Sequence, residues 1–166
     1  VDEKSAIEEF QARLSRLPDE AAITKVLLTY GLATDAGLAS LAGDLWLEDG
    51  ACDWDAEAAP HCGSAGVEAM LASREHRGLI AKRVANFGGP PLIELAGDRP
   101  TALSYSLIMR REEGRSYLWR VSAVRWDLER EDERWRVRRW TNRLLDPSGV
   151  GSQLLADSLR AMTEDA

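Results

Sequence analysis

The stretch that most limits what this chain can fold into is residues 116–145, which read SYLWRVSAVRWDLER, then EDE, then RWRVRRWTNRLL. Both arms are rich in Trp, Val and Leu, side chains that suit a pleated, half-buried surface. The acidic Glu131-Asp132-Glu133 between them supplies the loop of a long antiparallel hairpin. Strict alternation puts Leu118, Arg120, Ser122, Val124, Trp126 and Leu128 on one face of the first arm. Tyr117, Trp119, Val121, Ala123 and Arg125 take the other. In the second arm, Trp135, Val137, Arg139 and Thr141 oppose Arg136, Arg138, Trp140 and Asn142. Neither face is cleanly polar, and a strand that is apolar on both sides is covered on both sides. Helices are the expected cover for one face, and a second copy of the chain for the other.

Arginines on a half-buried strand need a carboxylate, a carbonyl or a ligand anion. Residues 110–143 hold 11 Arg against 7 Asp and Glu, in a chain whose net charge is −7. Two readings follow: the arginines pair with acidic helices or a partner copy, or they attract an anionic small molecule. The overall negative charge argues against nucleic acid or an anionic membrane as the main partner. No apolar run approaches the roughly 18 residues of a transmembrane helix. The start, VDEKSAIEEF, lacks a basic-then-apolar secretory pattern, so the cytoplasm is the expected compartment. Two cysteines, Cys52 and Cys62, are too few for a disulfide framework and are expected as free thiols. Cys52, His61 and Cys62 have no standard ligand spacing, so neither a metal nor another cofactor is expected.

Taken in order, residues 5–17 carry Ile7, Phe10, Leu14 and Leu17 at helical spacing, and Pro18 should interrupt them. A second helix is expected from an Asp19 N-cap to Asp35, and a third over residues 38–50 ending at Gly50. A short strand at 51–57, a loop, a helix over 65–77 and strands at 81–87 and 92–95 follow. Then come a strand at 101–111, the hairpin and a helical tail. At 166 residues this is one domain, with 1–18 a helical extension and 147–166 a helical tail. Helices first and antiparallel strands afterwards make an α+β fold, with helices on one side of a strongly bent sheet that encloses a pocket.

Several segments in this order carry a family resemblance: Tyr30-Gly-Leu-Ala-Thr-Asp35, Leu45-Trp46-Leu47-Glu48-Asp49-Gly50 and Val84-Ala85-Asn86 before Ile93-Glu94-Leu95. Gly97-Asp98-Arg99-Pro100-Thr101-Ala102 and Glu133-Arg134-Trp135-Arg136-Val137 complete the set. Over about residues 19–146 the chain resembles the SnoaL-like branch of the NTF2-like superfamily. The resemblance implies a cone-shaped α+β barrel, a deep apolar cavity and dimerisation through the sheet. Relatives include polyketide cyclases, ketosteroid isomerases and scytalone-type dehydratases, and also proteins without a known reaction. It therefore implies either cofactor-free dehydration, isomerisation or cyclisation of an apolar, carbonyl-bearing substrate, or ligand binding without catalysis.

On that resemblance Asp35 is the general base, Tyr30 a hydrogen-bond donor to the substrate carbonyl, and Lys82 a polarising group. The bland alternative makes Tyr30 core and Asp35 a cap. Five residues of ideal helix separate these two side chains by roughly 140°, so sharing a pocket should need a distorted helix end at Gly31. Dehydratase-like relatives carry a His just before the Asn of the middle strand. Here Lys82 and Arg83 stand near its place and no His does. His61 and His76 are expected at the surface. Trp54, Asn86, Tyr105, Trp126 and Trp140 are the candidate walls of the pocket. Arg125 and Arg139 could hold a ligand carboxylate or pair with Asp127, Glu94 or a partner copy. The expected partner is an apolar small molecule that can carry negative charge.

Overall fold

The computed structural model describes residues 3–54, 60–82, 84–96 and 98–164. Helix α1 (Glu3–Asp35) and the short α2 (Ala39–Gly43) lead into strands β1 (Trp46–Trp54) and β2 (His61–Cys62). Helices α3 (Gly63–Leu71) and α4 (Arg74–Ala81) follow, then strands β3 (Ala85–Gly88), β4 (Leu92–Glu94) and β5 (Thr101–Glu112). The hairpin is β6 (Arg115–Glu131) and β7 (Arg134–Leu144), and α5 (Val150–Glu164) ends the chain. The strands form one open, seven-stranded sheet in the order β2-β1-β7-β6-β5-β3, with β4 also on β5. All pairings are antiparallel except β1 with β7. The α+β architecture expected from the sequence is what the chain adopts, as a mixed sheet that curves without closing.

Four local expectations change. Pro18 does not end a helix: α1 runs through it for 33 residues. Proline's fixed φ is itself helical, and the cost is one lost backbone bond and crowding of the preceding turn. Polar contacts flank the proline on both sides. Arg16 reaches Glu20 and Glu94, at 3.9 and 3.5 Å. Asp19 is no N-cap; its carboxylate accepts from Trp135 Nε1 at 3.0 Å and from Arg130, tying α1 to the hairpin. The helix expected over 38–50 stops at Gly43, and Trp46 to Gly50 are already strand. The helix expected over 65–77 breaks after Leu71 and restarts at Arg74, where the Ser73 hydroxyl accepts from the His76 N–H at 3.1 Å.

The hairpin departs from strict alternation at two bulges, each one extra residue in one strand. In β6, Ile108 faces Arg120 but Met109 faces Leu118, so Trp119 is inserted. In β7, Asp127 faces Arg139 but Leu128 faces Val137, so Arg138 is inserted. A one-residue slip exchanges the two faces of a strand. Trp135 and Val137 therefore share their buried face with Trp140 and Asn142, not with Arg139 and Thr141. The core lies on this face, where Ile23, Trp46, Val67, Val124 and Leu128 are almost wholly buried. The opposite face is covered in part by the chain itself: Ala123 there is fully buried, and α5 packs on β6 and β7.

Both tight turns of the β5-β6-β7 meander use two left-handed residues, Glu113-Gly114 and Asp132-Glu133. This is the turn whose twist matches a hairpin, and it favours Asn or Asp followed by Gly. Glu133, at φ +60°, bears the cost that glycine avoids at Gly114. Glu133→Gly should raise stability by about 1 kcal/mol and Gly114→Ala should lower it by about the same. Opposite shifts in urea midpoint check this pair, and shifts of one sign would contradict the turn assignment.

Candidate active site

The concave side of the sheet and the helices over it enclose a cavity of about 280 Å³. Its floor can be read from lateral rows of paired residues. At the deep end lie Ala102, Trp126, Trp140 and Cys52, one from each of β5, β6, β7 and β1. Next come Ser104, Val124, Asn142 and Trp54, then Gly88, Ser106 and Ser122. The last row is Asn86, Ile108 and Arg120. Polarity rises along this sequence, from indoles through hydroxyls to a guanidinium.

Helix α1 covers the floor. Tyr30 lies over the deep row, its ring centroid 5.6 Å from Trp126 and 5.9 Å from both Trp46 and Trp140. The contacts with Trp46 and Trp126 are edge-to-face. The indole N–H groups of Trp46, Trp126 and Trp140 have no hydrogen-bond partner among the described residues. Edge-to-face packing is the geometry in which such an edge meets a π face instead. Burial pushes the Tyr30 hydroxyl well above the ordinary tyrosine range, with the neighbouring Thr34 hydroxyl pulling weakly the other way. Tyr30 is thus a proton donor to a hydrogen bond and not a base. Burial, helped by Asp53, likewise pushes the Cys52 thiol up to about 12, so this cavity sulfur is a protonated wall atom and not a nucleophile.

Asp35 lines the same cavity, and α1 stays helical to that residue. The expected distortion is not needed, because the cavity wraps the helix end through a wide arc. Gly31, within that arc, has no side chain to fill it. The two carboxylate oxygens of Asp35 accept from Asn86, one from its backbone N–H at 2.8 Å and the other from its Nδ2. Asn86 therefore orients Asp35 and joins α1 to β3.

His76, expected at the surface, instead lines the cavity from α4, half-buried, with Nε2 3.5 Å from the carbonyl of Thr34 next to Asp35. An imidazole thus enters the pocket from a different element than the one the resemblance implied. The Ser73 cap turns α4 so that His76, Leu79 and Ile80 form one cavity-facing stripe. That i, i+3, i+4 spacing is the sequence signal that could have found it, had the break at residue 73 been recognised. Arg120 and Trp119 are further lining residues not singled out as candidates.

The other candidates divide. Trp54, Trp126 and Trp140 are cavity walls. Tyr105 borders the opening, but it lies between Ser104 and Ser106, and alternation directs its half-exposed ring away from theirs. Lys82 is exposed at the C-cap of α4 and does not line the cavity. Arg83 lies outside the described residues. Arg125 and Arg139 are not in the cavity either. Arg125 is bound to Asp127, with Nε at 2.9 Å, and Arg139 to Asp53 at 3.2 Å. Asp53 also holds Arg143 at 3.0 Å. Among the described residues no cluster of three or more His, Cys, Asp or Glu is placed to hold a metal ion. None of the described helices is long and apolar enough to cross a membrane.

The profile of the SnoaL-like domain matches residues 15–141. The chain belongs to the SnoaL-like family. No curated protein matches it in sequence. Among solved structures, it is similar to an NTF2-like protein with a cystatin-like fold from Novosphingobium aromaticivorans. Identity is 36%, with 88% of this chain and 94% of that one covered and a TM-score of 0.83. It also resembles hexachlorocyclohexane dehydrochlorinase LinA-type3 from Novosphingobium barchaimii, at 17% identity over 81% of this chain and 91% of that one, TM-score 0.66. ActVI-ORFA from Streptomyces coelicolor matches at 18% identity over 75% and 96% of the two chains, TM-score 0.65. At these lower identities the likeness concerns the fold.

The two thiols differ sharply in environment, Cys52 buried and Cys62 exposed. At pH 8 Ellman's reagent should titrate one thiol in the folded protein and both in denaturant. Cys52 and Tyr30 have folded pKa values raised above their unfolded ones, so the stability they contribute is fully present below about pH 9. It is lost as pH climbs from 9 towards 12. The urea midpoint should therefore fall between pH 9 and 11, and an unchanged midpoint would contradict burial of both groups.

Proposed function

We propose that this protein is a cofactor-free acid/base catalyst of a small, apolar, carbonyl-bearing molecule, eliminating or shifting a proton next to the carbonyl. The observation that carries the reading is Asp35: a carboxylate oriented by Asn86 on the wall of an otherwise largely apolar cavity, with an imidazole and a phenol on the same wall. For a β-hydroxy ketone, Asp35 takes the proton from the carbon α to the carbonyl. The new C=C forms as the C–O bond at the β carbon breaks, and His76 returns a proton to the departing hydroxide, which leaves as water. Tyr30 donates to the carbonyl oxygen as negative charge builds there. Histidine suits the second role because its type of side chain exchanges protons near neutral pH. The dehydrochlorinase activity named for a structural relative is an elimination of the same general kind. We take the protein to act in the cytoplasm and as a homodimer, the exposed apolar Met109, Tyr117 and Leu118 at the end of the β5-β6 ribbon supporting the latter.

The test is dehydration of 3-hydroxy-1-tetralone to the fluorescent 1-naphthol, chosen because ring aromatisation makes the elimination irreversible. The protein should accelerate product formation above buffer, Asp35→Asn should lower kcat by about 100-fold or more, and His76→Gln by a smaller but clear factor. A rate equal to buffer for the unaltered protein, or an unchanged rate in Asp35→Asn, would refute this assignment. The Asp35–Asn86 pair also favours a second reading, binding without turnover, because it joins α1 to β3. In that case Asp35→Asn lowers thermal stability and alters no reaction.

A further inference from the structure

We propose that the outward face of α1 is an interface at which two copies of this chain pair as parallel helices. The pairing is independent of the catalytic reading above. Ile7, Phe10, Leu14 and Leu17 are three and four residues apart in turn, and the same alternation carries on through Ala21 and Thr24 to Leu28. That spacing lines all of these positions along one face of a helix, as in a coiled-coil seam. The Ile, Phe and Leu side chains of this band are between 46% and 62% exposed. Ile23, Leu27 and Ala33, which α1 buries against the body, point the other way.

Every residue from Lys4 to Pro18 is exposed, so about four turns of α1 run beyond the body with no sheet beneath them. A helical stretch of that length is marginal in water without a surface to pack on. From Ile7 to Leu28 the band is about 32 Å long and, one helix wide, covers roughly 300 Å², a size at which an exposed apolar patch marks an interaction site. It is small for a permanent interface, so the pairing depends on concentration.

Charge names the occupant. Glu20 and Lys25 flank the band on its two edges, five residues apart. In a parallel pair that spacing sets each Glu20 beside the partner's Lys25, and two-fold symmetry makes the contact twice. Lys25 is exposed and has no ion pair among the described residues, while Glu20 is held only loosely, 3.9 Å from Arg16. Because α1 packs on its own body through the opposite face, the two bodies fall on the outer sides of the pair and leave the seam clear. The band is also separate from the apolar end of the β5-β6 ribbon, so a chain that uses both surfaces assembles beyond the dimer.

Sedimentation velocity on the full chain over a concentration series tests this. Leu14→Glu, on the part of α1 beyond the body, should halve the mass of the assembly, from two chains to one or from four to two. Leu118→Glu, at the ribbon end, should leave the pairing through α1 in place. Lys25→Glu should weaken pairing roughly threefold or more, and the double variant Glu20→Lys with Lys25→Glu should restore it. This charge exchange carries the test alone if Leu14→Glu loses its helix by circular dichroism. An unaltered protein that sediments as a single chain, a mass unchanged in Leu14→Glu, or no restoration by the double variant would overturn the proposal. So would co-sedimentation of single chains with phosphatidylcholine vesicles that Leu14→Glu abolishes, which would assign the band to a membrane surface.

Discussion

The single extra residue at Arg138 decides what the far half of β7 presents to the cavity. Without it, alternation from Trp135 and Val137 would carry Arg139 and Thr141 inward and turn Trp140 and Asn142 out. The bulge is held from both flanks. Arg138 Nε binds Glu129 on β6 at 2.7 Å, and its NH1 binds Asp49 on β1 at 3.0 Å. The guanidinium holds both of those carboxyls below the usual range, and they in turn raise its own pKa. Close backbone approach completes the arrangement: a Cβ on Gly50 would stand 2.8 Å from the Val137 carbonyl oxygen. Register irregularity in β1 and the bulge in β7 thus sit side by side.

From that parity the deep end of the cavity follows. Trp140 faces inward beside its cross-strand partner Trp126, ring centroids 5.8 Å apart, and Tyr30 closes over both. Three large rings in mutual contact close this end, while the rows beyond it mix the hydroxyls of Ser104 and Ser106 with Ile108, Trp119 and the polar Asn86 and Arg120. A space of this kind stays open because the rings meet each other before they can collapse into it. The Asp35–Asn86 contact then sets the distance between α1 and β3 at the other end. The fold is therefore braced at both ends of one helix, by aromatic packing at Tyr30 and by a carboxylate five residues later.

Much of this was legible in the sequence, and the parts that were not share a physical cause. Long alternating runs with an acidic loop between them announce a hairpin because the signal is local. The helix stripe through Ile23, Val26, Leu27 and Tyr30 announces α1 for the same reason, and the position of Asp35 beside a pocket came from the order of motifs. A bulge depends on what the partner strand offers, so no pattern within residues 134–144 marks Arg138. Pro18 was read by intrinsic propensity, which the links from Arg16 and Asp19 to the sheet overrode. His76 was hidden by reading α3 and α4 as one helix, which gave its side chain the wrong direction.

Charge followed the same logic of faces. Eleven arginines crowd the last strands and their loops, and from composition alone the excess suggests an anion site on any of them. Burial of an arginine without a partner is costly, so a strand that exchanges faces at a bulge must keep its arginines where carboxylates can meet them. Arg138 and Arg139, at the inversion, reach Glu129, Asp49 and Asp53, all supplied by the neighbouring strands. Arg120 keeps the face that plain alternation gives it, with Ser122, Val124 and Trp126, and so lines the cavity. A local excess of cations is thus a poor guide to a ligand site, because most of it balances the sheet's own acids. Which way each arginine goes is set by the face it falls on, by plain alternation for Arg120 and by the bulge for Arg139.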